Sequence, residues 1–200
     1  MRSPNGMSVL ITGGGSGLGE GAARHFAARG ARVTIAGRRA EKIEGVARSI
    51  GDECAHVVGD VTSDADRRTM VSRAVEHGRG RLDVLINNAG NMYRGPLGSL
   101  DEKALIDVFH SNVVAGIMLT QTALPHLETA KGAVIFVGSV HSQRAFPGAS
   151  PYAATKGAVE TLTGVLAAEL GPKGIRVSCV RPGGVFTEIN QRAGLLDRKS

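Results

Sequence analysis

The sequence predicts a doubly wound α/β fold, one parallel sheet held between two layers of helices, and three observations predict it. Short runs rich in Val and Ile recur along the whole length, segments of helical period separate them, and the first run opens into a glycine-rich turn before a helix. Continuous apolar runs of this length suit strands buried on both faces. Regular alternation of strand and helix makes those strands parallel, because each right-handed crossover returns to the same sheet.

Strands are expected at SVLIT (8–12), RVTIA (32–36), AHVV (55–58), DVLIN (83–87), AVIFVG (133–138) and IRVSCV (175–180). Helices are expected over 17–29, 40–50, 64–77, 101–129 and 151–170, the last stopped by the Gly-Pro of GPKG. No composition shift, linker, repeat or low-complexity tract marks a boundary. Residues 1–200 therefore read as a single three-layer α/β/α domain.

The composition narrows the function classes. With 42% hydrophobic and 21% charged residues over 200 positions, the chain has a core to bury and is not of disordered type. No unbroken apolar run reaches the roughly 18 residues of a bilayer crossing, and the leading MRSPNG has no signal-peptide core behind its arginine. The expectation is a cytoplasmic protein with no membrane partner. Cys54 and Cys179 stand far apart and in no redox or metal spacing, and His25, His56, His77, His110, His126 and His141 form no ligand motif, so no metal is expected. The net charge of +6 could suit nucleic acid, but the arginines are scattered among acids and only 4% of residues are aromatic. A nucleic-acid partner is not expected.

The first strand runs into TGGGSGLGEGAARHF (12–26), with glycines at 13, 14, 15, 17 and 19 ahead of a helix. Glycine permits positive φ and close approach of a pyrophosphate, while the helix start offers N–H groups and positive dipole character to an anion. The spacing of Gly13, Gly17 and Gly19 fits TGxxxGxG rather than the commoner GxGxxG. The next strand ends in Arg38 and Arg39, where an NAD-binding chain more often places an acid for the ribose 2′-hydroxyl. Arginine there suits a 2′-phosphate and favours NADP, NAD staying open, although an Arg after a strand is also commonly just exposed. Asp60, at the end of the third strand, could accept from an adenine amine, or could belong to the turn that starts the next helix.

Only two tyrosines occur, and one of them, Tyr152, stands four residues before Lys156 in SPYAATK. That spacing puts both side chains on one helix face, about 5–6 Å apart at their bases, a geometry shared by reactive pairs and by plain surface pairs. A cation about 4 Å from a phenol is worth roughly 4 kcal/mol at an effective dielectric near 20, or about three pKa units, enough to bring a tyrosine toward neutral pH. Ser139 closes the fifth strand at the carboxyl edge, where open α/β sheets bind ligands.

TGGGSGLG (12–19), NNAG (87–90), Asn112 in HSNVVAG, Ser139 in VGSVHS, YAATK (152–156) and RPGGVFT (181–187), in that order, resemble the short-chain dehydrogenase/reductase family. The resemblance implies a Rossmann-like fold, a nicotinamide cofactor and hydride exchange between an alcohol and a carbonyl compound. It implies that Tyr152 gives and takes the proton, that Lys156 tunes it and holds the nicotinamide ribose, that Ser139 holds the substrate oxygen and that Asn112 supports a relay water. For the cofactor it implies Gly13, Gly15, Ser16, Gly17, Leu18 and Gly19 in the loop, then Arg38, Asp60 and Val61 toward the adenosine. It further implies that Asn88, Ala89 and Gly90 face the cofactor with Asn87 structural, and that Pro182, Gly183, Val185 and Thr187 form a loop beside the nicotinamide. His141, Gln143 and Tyr93 are candidates for the substrate pocket.

The sequence ends in EINQRAGLLDRKS, where family members continue through a substrate cover, a helix and a last strand. That segment is expected to begin a lid, and the sixth strand to lie at an uncovered edge. In the family the two long helices meet their copies, and Ala153, Ala154, Gly157 and Ala158 permit close approach, so a homodimer or homotetramer is expected. The reading is an NADP-preferring oxidoreductase acting on a small carbonyl or alcohol substrate. The alternative is a catalytically silent dinucleotide-binding regulator or partner subunit.

Overall fold

The computed structural model describes residues 3–185. Strands β1 (Ser8–Thr12), β2 (Arg32–Gly37), β3 (Cys54–Val58), β4 (Val84–Asn87), β5 (Ala133–Val137) and β6 (Arg176–Val180) form one sheet in the order β3-β2-β1-β4-β5-β6. Every neighbouring pair is parallel. The order reverses between β1 and β4, and such a switch point opens a crevice beyond the carboxyl ends of the strands. The doubly wound, Rossmann-like class is what the strand-helix alternation required.

Helices α1 (Gly17–Ala27) and α2 (Ala40–Ile50) cover one face of the sheet. Helices α3 (Asp64–His77), α5 (Ala115–Ala130) and α6 (Ser150–Leu170) cover the other, with α4 (Glu102–Phe109) leading into α5. The period of a strand decides which residue meets which layer. In β1, Val9 and Ile11 join Ala23 and Ala27 of α1 and Ile43 and Val46 of α2, while Leu10 joins Met70 of α3, Leu119 and Leu127 of α5 and Val159 of α6. Both faces of β1 are thus dry, and all five of its residues are buried. In contrast, β6 alternates between exposed and partly buried residues, and it is an edge strand among the described residues.

One long helix was expected over 101–129. The structure instead interrupts it with a wider, π-helical turn, His110–Val114, between α4 and α5. Such turns follow local side-chain demands that apolar period does not register. Here the turn carries Asn112, a buried residue whose amide bonds outward to two other segments. Glu102–Ala130 as a whole is long and apolar enough to cross a bilayer, although no unbroken apolar run in it is. Within it Leu119, Ala123 and Leu127 are buried in the core against the sheet.

Polar pins hold the strand ends. Asp83 accepts the Ser8 N–H at 3.0 Å through Oδ2 and the Arg81 guanidinium at 2.6 Å through Oδ1. Ser63 caps α3 and Asp101 caps α4, each accepting a first-turn N–H. At the switch point the Thr12 hydroxyl accepts the N–H groups of Asn88 at 3.1 Å and Ala89 at 3.0 Å and donates to the Ile86 carbonyl at 3.4 Å. Asn88 returns the contact, its Nδ2 donating to the Thr12 carbonyl at 2.8 Å. Thr12→Val keeps the shape but strips two N–H groups of their acceptor, so unfolding in urea should show a loss of about 2–3 kcal/mol. An unchanged midpoint and slope would show that these N–H groups find water or another partner.

Candidate active site

At the carboxyl end of β1 the backbone turns back on itself through Gly13, at φ +67°, and enters α1 through Gly17, at φ +56°. Both values lie where a side chain is strained. Space is equally restrictive: a Cβ on Gly14 would stand 2.6 Å from Ile35 Cβ, and one on Gly19 would collide with the Gly13 carbonyl oxygen. The Ser16 side chain does not cap α1 and instead accepts from Arg39 at 3.1 Å. First-turn N–H groups of α1 are thereby left for an anion. This bare, glycine-lined turn fits the pyrophosphate of a dinucleotide.

A cleft of about 830 Å³ runs from this loop along the strand ends. Gly13, Gly15, Ser16, Gly17 and Leu18 line one end, with Arg38, Arg39, Lys42, Asp60 and Val61 around it. Asn88, Ala89 and Gly90 form the middle, and Ser139, Tyr152, Lys156, Pro182, Gly183 and Val185 line the other end. Gly19 does not face the cleft; it lets α1 close onto the Gly13 turn. Thr187 and the segment EINQRAGLLDRKS lie outside the described residues.

Asp60 belongs to the turn before α3 and also lines the cleft. Its Oδ1 accepts from the N–H and the hydroxyl of Thr62, at 2.9 and 2.8 Å, so it shapes the turn before α3, while Ser63 is the cap. Its Oδ2 also lies 3.6 Å from Arg38 Nη1, on the cleft. Burial would raise this carboxyl, but the Thr62 bonds and the charges of Arg38 and His110 outweigh it and hold it below the usual range. Lys42 was not foreseen. A lysine in the first turn of α2, where acids are the commoner choice, was the available signal.

At the other end Tyr152 and Lys156 lie one turn apart on α6, both buried, with Lys156 Nζ 5.5 Å from the phenol ring centroid. Nζ donates to the Val137 carbonyl at 2.7 Å. Burial lowers Lys156 from 10.5 to about 8. Burial also raises the Tyr152 phenol, with the Ser139 hydroxyl pulling the other way. The expected lowering of Tyr152 by its lysine is therefore not present in this geometry, because the burial that brings the pair together works against both charges. Such a phenol is protonated at neutral pH and suits proton donation.

Asn112 is near this end but not on the main cleft; it lines a small adjoining cavity. Its Oδ1 accepts from Asn91 N–H at 2.7 Å and Ser111 Oγ at 3.2 Å, and its Nδ2 donates to the Asn91 carbonyl at 2.9 Å and Thr155 Oγ1 at 3.0 Å. The side chain is a clamp between Asn91, the residue after NNAG, and α6. Of the three substrate-pocket candidates only His141 faces the cleft. Tyr93 Oη accepts the Asp101 N–H at 2.7 Å, and Gln143 donates to Glu160 at 3.0 Å. Met92, Arg94 and Phe146 line the cleft instead, from loops whose path has no periodic signal.

The description "short chain dehydrogenase" belongs to the family whose sequence profile matches residues 7–195. An L-fucose dehydrogenase of Bos taurus is 36% identical over 187 residues, 92% of this chain and 68% of that protein. A gluconate 5-dehydrogenase of Gluconobacter oxydans is 35% identical over 194 residues, 95% of this chain and 75% of that one. Among solved structures, the 3-ketoacyl-(acyl-carrier-protein) reductase from Brucella melitensis complexed with NADH superposes with a TM-score of 0.91 at 33% identity, over 94% of this chain and 80% of that one.

Since a Cβ on Gly19 strikes the Gly13 carbonyl oxygen, Gly19→Ala must push α1 away from the loop. Dinucleotide affinity, read from the change in the reduced nicotinamide's own fluorescence during a titration, should fall at least about tenfold, equivalent to about 1.4 kcal/mol. Undiminished binding would mean that the helix shifts without disturbing the cradle.

Proposed function

The chain belongs to the short-chain dehydrogenase family and is an oxidoreductase dependent on a nicotinamide dinucleotide, and from that premise we propose that it exchanges hydride between NADP(H) and a carbonyl or alcohol substrate through Ser139, Tyr152, Lys156 and Asn112. One observation carries the reading. Ser139, Tyr152 and Lys156 converge at the opposite end of the same cleft from the glycine loop and its basic rim. A dinucleotide laid along the strand ends has its phosphates at the loop and its reactive ring beside the phenol.

When bound, the cofactor supplies or accepts the hydride. The protein does the rest. In carbonyl reduction the Ser139 hydroxyl holds the substrate oxygen by donating to it, and the Tyr152 O–H gives its proton as negative charge develops there. The raised phenol pKa keeps that proton in place until it is needed. Lys156 carries its charge below about 8 and steadies the phenolate left behind. Asn112 fixes the Asn91 backbone and, through Thr155, the start of α6, so that the phenol keeps its aim. The same steps reversed oxidise an alcohol.

Ser16, Arg38, Arg39 and Lys42 around the loop end support NADP over NAD. The exposed apolar residues Ile106, Val114 and Val165 on α4 to α6 support an association of copies through these helices. NADPH should bind more tightly than NADH in a fluorescence titration, and Arg38→Ala should weaken NADPH about tenfold while leaving NADH nearly unchanged. Equal affinities for the two in the parent chain would sink the preference. Tyr152→Phe should keep cofactor affinity and lose at least about 10²-fold in kcat against a carbonyl panel. Cofactor binding with no turnover by the parent chain would point to the silent binder instead.

A further inference from the structure

The Ser139 hydroxyl has one hydrogen and two lone pairs, and it faces more partners than that hydrogen can serve. One lone pair accepts the His141 backbone N–H at 3.2 Å. The His141 ring reaches the same oxygen from another side, Nδ1 to Oγ at 3.1 Å. Tyr152 is the third neighbour, and the serine hydroxyl stabilises its phenolate. If Nδ1 is bare, the serine hydrogen turns to the imidazole and a lone pair faces the reacting oxygen. If Nδ1 carries hydrogen, it fills the second lone pair and the serine hydrogen has only the reactive side left.

The imidazole is held for this task. Its ring meets Tyr152 edge-on, at 5.2 Å between centroids and 82° between planes. Phe146 lies against it at 4.3 Å and 31°. The ring cannot swing away without leaving both aromatic contacts. The groups that face it are Tyr152 from α6 and Arg94 from the loop after β4. Burial first, and the Arg94 charge second, hold the imidazole below its usual range. Near neutral pH it therefore carries one hydrogen, and the choice of nitrogen matters.

We infer that His141 is a positioning residue whose Nδ1–H donates to Ser139 Oγ and thereby directs the serine hydrogen to the reacting oxygen. No proton is transferred by His141 in this role; it acts through the serine. The inference rests on the proposed roles of Ser139 and Tyr152 but is tested separately from them.

The test is the tautomer of His141 in the ¹⁵N-labelled full chain, read from long-range ¹H–¹⁵N spectra at neutral pH and assigned by the signal that His141→Asn removes. The Nδ1–H form should predominate, and Ser139→Ala should shift the balance toward Nε2–H. A predominant Nε2–H form in the parent chain overturns the inference, whether or not any substrate turns over. With NADPH and 9,10-phenanthrenequinone as probe, His141→Asn, whose amide N–H₂ overlays Nδ1, should retain about tenfold more kcat than His141→Gln, whose amide overlays Nε2. Equal kcat in the two variants, alongside an active parent, also overturns it. An inactive parent with the Nδ1–H form would fault the proposed reaction and leave the positioning contact standing.

Discussion

The Thr12 hydroxyl at the end of β1 ties together the two strands between which the sheet reverses order. It takes the N–H groups of Asn88 and Ala89 just as β4 ends, and Asn88 closes the circuit on the Thr12 and Gly13 carbonyls. These atoms are at the carboxyl ends of β1 and β4, where neither strand continues. The glycine turn is held from its other side by β2, whose Ala36 carbonyl accepts the Gly13 and Gly14 N–H groups. Joined in this way, the glycine turn and the NNAG loop form one wall of the cleft.

From that wall the site extends in two directions, and each is governed by a different physical term. Toward the loop end the determinants are backbone geometry and exposed charge: glycines that admit no Cβ, first-turn N–H groups, and arginines at a rim that is open to solvent. Toward the other end the determinant is burial. Tyr152 and Lys156 are each less than a tenth exposed, and desolvation raises the phenol and lowers the ammonium. Both groups are thereby held nearer their neutral forms, which favours proton donation over proton capture in the geometry seen here.

Asn112 shows how such a site is supported from behind. The π-helical turn carries a buried amide, and the amide spends its bonds on Asn91 just after NNAG, on Ser111 and on α6. A shift of that turn would move the cofactor wall and the phenol together. Gly90 leaves the room for this contact, since a Cβ there would stand 2.9 Å from Asn112 Oδ1.

Much of this was legible in the sequence because it depends on local rules. Continuous apolar runs alternate with segments of helical period, and right-handed crossovers then force parallel strands, so the sheet follows from pattern alone. The glycine loop could be located because strain and close approach leave glycine as the only tolerated residue at several positions in one short stretch. What escaped depends on contacts between residues far apart in the chain. That Lys42 joins the basic rim, that Gly19 serves packing rather than the cleft, that Tyr93 and Gln143 bond elsewhere, and that His141 meets both Ser139 and Tyr152 are facts of three-dimensional proximity. The protonation preferences of Tyr152 and Lys156 belong with them. Sequence spacing put the two side chains on one helix face; only the packing of that face against the sheet decided how much water they lose, and desolvation rather than spacing sets their charge.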